Sequence, residues 1–247
     1  MMYKIAALVA LPILLVQGRQ ARKRALKLPE AIGEREGVIK DPTKPPLSFL
    51  IIGDSAAAGV GADHQDNALL GQLVNNLKSH FNLSWALIAK TGAKTKDMTQ
   101  MLETAKLTKT FDIVITSLGV NDVTSLQKSK DWLNEQNKLH HYCFQKLGAK
   151  HIMVSGMPPM HKFPLLPQPL RWIMGSRAKE FDCLQASAIS KYTNRSHEPL
   201  PFDMDRIAMA ADGFHPGPSI YLKWGLSLSK RIVYIAKSLS HESGANI

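Results

Sequence analysis

From Leu47 onward the chain alternates two kinds of apolar pattern. Short continuous runs at Leu47–Ile52, Ser84–Ala89, Phe111–Leu118 and His151–Ser155 read as buried strands, with a weaker run at Leu200–Phe202. Between them, apolar residues recur at helical spacing over Ala68–Phe81, Thr95–Leu107, Asp131–Leu147 and Arg171–Tyr192. A last helical segment, Ser219–Ser240, closes the chain. Apolar strands alternating with amphipathic helices predict an α/β fold, its five-stranded parallel sheet covered on both faces. In such a sheet ligands bind beyond the carboxyl ends of the strands. The residues just after each run are therefore where chemistry is expected.

The first 46 residues follow neither pattern. Residues 1–28 carry one lysine, then the apolar stretch Ile5–Val16, then five basic residues by Lys27. Twelve apolar residues fall short of the ~20 that span a bilayer, and the length suits a signal-peptide core. Yet no small-x-small cleavage site follows, and positive charge tends to stay cytoplasmic. An uncleaved membrane anchor or interfacial segment is expected, with a cleaved signal as the alternative. The side stays open: periplasmic or secreted if cleaved, the cytoplasmic face by charge. Residues 29–46 are proline-rich and aperiodic, which reads as a linker and leaves 47–247 as one domain.

Charge sharpens that reading. Of a net +11 over 247 residues, +5 lies in residues 1–45. The densest basic run, "GRQARKRALKL", adjoins the apolar stretch, a placement that suits an anionic membrane surface rather than nucleic acid. No nucleic-acid recognition motif is present in the sequence. Cys143 and Cys183 both fall in helical segments without metal-site spacing and are expected as buried free thiols.

The strand ends carry the chemistry. The first run ends in Gly53-Asp54-Ser55, the second leads to Gly92 in "AKTGAKTKDM", and the third to Asn121 in "SLGVNDVT". Asp212 and His215 stand in "ADGFHPGP" before the last helix. A serine needs a base to become a nucleophile. His215 can serve once its other ring nitrogen is held by an acceptor, and Asp212, three residues earlier, can supply one. Gly213 permits the tight bend and Pro216 biases His215 toward extended backbone. The oxyanion needs preorganised donors, available from the N–H groups of Ser55 and Gly92 and the Asn121 amide. This set fits ester hydrolysis through an acyl-enzyme. It calls for no metal and no cofactor.

Those four blocks, in this order over about residues 47–240, resemble the SGNH (GDSL-type) hydrolases, a family of esterase and lysophospholipase-like enzymes. The resemblance implies a flavodoxin-like three-layer α/β/α fold. It implies Ser55 as nucleophile, His215 as base, Asp212 as its orienter, and Gly92 and Asn121 as oxyanion donors. Ala56 stands where many members carry leucine. The serine is not in a Gly-x-Ser-x-Gly elbow, which argues against the α/β-hydrolase fold.

Other candidates have simpler roles. Asp54 and Asp122 are expected to brace their loops. The glycines at 53, 59 and 61 complete neither phosphate-binding pattern. His140 and His141 are adjacent on a helix and point apart; His64 is expected as an exposed loop residue. The proline-rich apolar stretch 156–175 offers Met157, Met160 and Phe163 as substrate contacts, either walling an acyl pocket or touching lipid, or else it caps the core. The expected activity is hydrolysis of lipid-like or short acyl esters. Two alternatives are sugar O-deacetylation on the same fold and a membrane-tethered domain that binds without catalysis.

Overall fold

The computed structural model describes residues 2–125, 127–201 and 208–244. Six strands form one sheet: β1 (Glu36–Ile39), β2 (Pro46–Gly53), β3 (Asn82–Ala89), β4 (Ile113–Ser117), β5 (His151–Ser155) and β6 (Arg195–Glu198). Their order is β1-β3-β2-β4-β5-β6; β1 runs antiparallel to β3 and all other pairs are parallel. The five parallel strands thus have the flavodoxin-like order, which reverses at the central β2. The chain leaves β2 for β3 on one side and crosses to β4 on the other, opening a crevice beyond the carboxyl ends of β2 and β4.

Eight helices accompany the sheet among the described residues: α1 (Met2–Val9), α2 (Leu11–Arg24), α3 (Leu69–Leu77), α4 (Thr95–Ala105), α5 (Val120–Thr124), α6 (Ser129–Leu147), α7 (Leu170–Ile189) and α8 (Pro218–Gly244). Side chains alternate across a strand, and β2 divides accordingly. Phe49 and Ile51 enter a core shared with Leu73 of α3 and Tyr221 and Ile232 of α8. Leu50 and Ile52 enter the opposite core, with Met98 of α4 and Leu139 and Cys143 of α6. Apolar on both faces, β2 is buried from Phe49 to Gly53. The result is a three-layer α/β/α sandwich.

Two strand expectations need correction. The sheet has six strands rather than five, because β1 arises within 29–46 and is a partly exposed antiparallel edge. The fifth parallel strand is Arg195–Glu198, not 200–202; Leu200 is irregular and Phe202 lies outside the described residues. Cys143 is buried, and burial pushes its thiol up to about 12, whereas Cys183 is exposed rather than buried.

The N-terminal segment is helical and docked. α1 and α2 meet at an 85° bend, and neither is long and apolar enough to cross a membrane. Pro12, in the first turn of α2, has no N–H to offer the Leu8 carbonyl, so the first helix ends. The Tyr3 hydroxyl donates to Glu180 at 2.5 Å, Lys4 pairs with the same carboxylate at 3.0 Å, and Gln17 accepts from the Leu170 N–H at 3.2 Å. Leu14 and Ala21 join Ile173, Met174 and Phe181 of α7 in a third apolar cluster at the carboxyl edge of the sheet.

Candidate active site

β2 delivers Ser55 into a tight turn over residues 54–61. Gly53 is required for the close approach of that turn: a Cβ there would stand 2.5 Å from the Ala57 Cβ and 2.6 Å from the Ser117 carbonyl. Asp54 donates its N–H to the Ser117 carbonyl at 3.1 Å and accepts from the Ala56 N–H through Oδ1, also at 3.1 Å. The Tyr221 hydroxyl of α8 donates to the Val60 carbonyl at 2.7 Å and lies 3.1 Å from that of Ala56. The serine turn is pinned on both sides. Among the described residues the Ser55 N–H makes no hydrogen bond.

Residues 208–217 fold back on themselves, with Ala210 donating to the His215 carbonyl at 2.9 Å and Gly217 to that of Ala208 at 3.0 Å. Gly213 turns the loop at φ +64°, a left-handed value that favours glycine. Asp212 Oδ1 accepts the N–H groups of Phe214 and His215 at 2.9 and 3.0 Å. Its Oδ2 lies 2.5 Å from His215 Nδ1, and His215 Nε2 lies 2.8 Å from Ser55 Oγ. Burial works to raise the Asp212 carboxyl, but the bonds from His215 and the two N–H groups outweigh it and hold the carboxyl below its ordinary range. An ionised Asp212 keeps the proton on Nδ1, which leaves Nε2 with a lone pair facing the serine hydroxyl.

Asn121, on α5 just after β4, donates through Nδ2 to the Ala93 carbonyl at 3.0 Å and, at 3.4 Å, to Asp54 Oδ2. Asp122 turns away and accepts from the Thr95 N–H and hydroxyl at 3.2 and 2.9 Å, bracing the start of α4. Asp54 braces the serine turn. Its burial pushes the carboxyl up to about 7, against the pull of the Ala56 N–H and His215.

Two cavities flank the Ser55–His215 pair. The smaller, about 50 Å³, is lined by both residues together with Phe163, Leu200, Phe214 and Trp224. The larger, about 810 Å³, reaches His215, Phe214 and Asn121 and extends between α7 and the N-terminal helices. Of the expected substrate contacts, Phe163 lines the smaller cavity. Met157 and Met160 are buried in the apolar cluster and line neither. Gly92 also lies on neither cavity; it sits at φ +83° in a separate surface depression, and its N–H has no partner among the described residues. His140 is buried and His141 exposed on α6, and His64 caps a short 3-10 turn.

Phe214 was not singled out by its pattern, although it stands inside the "DGFH" block. It packs edge-on against His215 and Phe163, at centroid distances of 5.3 and 5.0 Å, and lines both cavities. The N-terminal wall of the larger cavity was also missed, since an apolar run does not say which surface it covers.

The family profile of GDSL-like lipases and acylhydrolases matches residues 51–222. The chain belongs to this family. This GDSL hydrolase acts on ester bonds, and its α/β sandwich is the SGNH fold. Est24, a carbohydrate acetylesterase from Sinorhizobium meliloti, is 18% identical with a TM-score of 0.57, over 76% of this chain and 99% of that one. A carbohydrate esterase of family 3 from Talaromyces cellulolyticus is 10% identical with a TM-score of 0.59, over 78% and 99%. TesA is 16% identical with a TM-score of 0.51, over 73% and 95%. At these identities the solved structures speak to the fold. No curated protein sequence matches the GDSL hydrolase.

Proposed function

We propose that this GDSL hydrolase is a serine esterase that cleaves lipid-like carboxylic esters through an acyl-enzyme on Ser55. The observation that carries this reading is the continuous chain from Ser55 Oγ through His215 to the buried Asp212, at 2.8 and 2.5 Å, opening onto two cavities. His215 Nε2 takes the Oγ proton as Oγ bonds to the ester carbonyl carbon. The carbonyl oxygen becomes an oxyanion, held by the unpartnered Ser55 N–H and by Asn121, whose long bond to Asp54 is the weaker of its two. His215 then hands its proton to the departing alkoxide as the C–O bond breaks. Water, deprotonated by the same imidazole, releases the acid and restores Ser55.

A second reading has its own support. The small cavity beside Ser55 has room for an acetyl-sized group, and two of the fold's relatives are named as carbohydrate esterases. Initial rates on p-nitrophenyl esters from acetate to palmitate, for the wild type against Ser55→Ala, separate the two. Serine-dependent rates that rise with chain length support the lipid-like reading, and rates confined to acetate support deacetylation. Absence of serine-dependent turnover across the series refutes both readings.

Residues 1–28 are proposed to hold the enzyme at an anionic bilayer. Leu8 and Val9 are 74% and 79% exposed on α1, and Arg22, Lys23 and Arg24 crowd the last turn of α2. Co-flotation with phosphatidylglycerol vesicles that is lost on deleting residues 1–28 supports the attachment. Flotation unchanged by that deletion refutes it.

A further inference from the structure

The larger cavity is half built by the N-terminal helices. Leu11, Leu14 and Leu15 form one side, and Leu166, Ile173 and Met174 the other, with Asn121 and His215 at a shared end. Its volume of about 810 Å³ falls within the range of small-molecule sites, about 300–1,000 Å³. Among the described residues no carboxylate lines it. Its cations are partly spoken for: Lys4 is paired with Glu180, and Arg177 donates to the Val123 and Gln127 carbonyls at 3.1 and 2.8 Å. Arg19 and Arg22 of α2 and the hydroxyls of Tyr3, Thr124 and Ser125 also line it, and the rest of its wall is largely aliphatic, continuous with the groups that meet the ester.

The smaller cavity cannot take a chain. At about 50 Å³ it is lined by Phe163, Phe214 and Trp224 and includes the buried Asp54. A long apolar substituent on the carbonyl finds its room in the larger cavity.

We infer that α1 and α2 form the outer wall of a channel for a long, linear acyl chain, so that the N-terminal segment is part of the substrate site. This rests on the reading of Ser55 and His215 as catalytic. Each methylene buried there strengthens binding roughly fourfold. Preference for long chains is then a property of the first 24 residues.

Gly18 gives direct access to the channel. It lines the cavity from α2, and an added Cβ would meet no atom within 4 Å. Gly18→Trp therefore narrows the channel, and exchanging a helical glycine does not oppose the helix. The experiment uses the full chain and measures kcat/KM for p-nitrophenyl dodecanoate and acetate in the wild type, Gly18→Trp and Leu15→Asn. In parallel, dodecanoate binding is titrated calorimetrically to Ser55→Ala with and without Gly18→Trp.

The dodecanoate-to-acetate ratio is expected to fall at least tenfold in Gly18→Trp and severalfold in Leu15→Asn, with a tenfold weaker Kd for dodecanoate. A ratio and Kd unmoved by both substitutions overturn the channel while leaving the esterase reading intact. Dodecanoate binding that responds to Gly18→Trp without any serine-dependent turnover refutes the esterase reading and keeps the channel. Mature protein whose mass lacks residues 1–24, yet which retains the long-chain preference, also overturns it.

Discussion

The serine turn at 54–61 and the helical pair at 2–24 meet at one crevice but are held there differently. The turn hangs from a central strand buried from Phe49 to Gly53, and Asp54, Ser117 and Tyr221 tie its backbone from three directions. α1 and α2 bury Leu14 and Ala21 and otherwise rest on polar contacts from Tyr3, Lys4 and Gln17, with Leu8 and Val9 largely exposed. Reacting groups need positions fixed to within a fraction of an ångström, and a sheet provides that. An element with few buried contacts opens at low cost, which suits the admission of a long ligand. On the proposed reading, chemistry sits on the core and access on the flank.

Removing a reacting group should break this division most severely. Ser55→Ala is expected to lower kcat by roughly 10⁴-fold or more with the fold intact, read from p-nitrophenyl ester rates and circular dichroism. If the Asn121 amide acts on charge that develops during reaction, as proposed, Asn121→Ala should cost roughly 10²–10³-fold in kcat with KM little changed. A purely structural Asn121 would instead shift the melting temperature.

The next effect is a pH dependence confined to the core. Asp54, pushed up to about 7 when folded against about 3.9 unfolded, holds a proton that the unfolded chain releases. Its contribution to stability is therefore complete below about pH 4 and is lost as pH rises to about 7, by at most about 1.4 kcal/mol per pH unit. Asp212 has the opposite sign: held below its ordinary value, it contributes above about pH 4 and loses that contribution as acid titrates it. Asp54→Asn is neutral at every pH, so in urea melts between pH 4 and 8 the wild type should lose stability relative to it as pH rises. A pH-independent difference contradicts it.

The smallest effect belongs to the flank. Glu180 accepts from Tyr3, Lys4 and Ser129, so Glu180→Ala should release α1 at a cost of roughly 0.5–1.5 kcal/mol. Hydrogen exchange over residues 3–16 should speed up while exchange in β2 and β4 does not. Equal acceleration in both regions would erase the contrast.

The two regions also differed in how much of them could be read in advance. His151–Ser155 was legible to the residue because a strand buried on both faces leaves a continuous apolar run. β6 was not, since its Arg-Ser-His-Glu is polar and pairs along one edge only, with His197 tied to Asp182 and Glu198 to Arg231. β1 hid in a proline-rich segment because its one partner, β3, is distant in sequence. The residues meeting at Ser55 were legible as strand-end polar groups in order. Local pattern marked the apolar loop, but it could not tell that Met157 and Met160 face the core while Phe163 faces a cavity. Nor could it show where α2 docks, which depends on a surface far along the chain.

Covalent labelling probes the proposed activation of Ser55 by His215 and Asp212. The full-length protein is treated with a fluorophosphonate, then read by intact mass and peptide mapping. The account predicts one adduct, on the peptide holding Ser55, absent in Ser55→Ala and formed far more slowly in Asp212→Asn. A folded protein that takes no label, or takes it on another residue, would contradict the account.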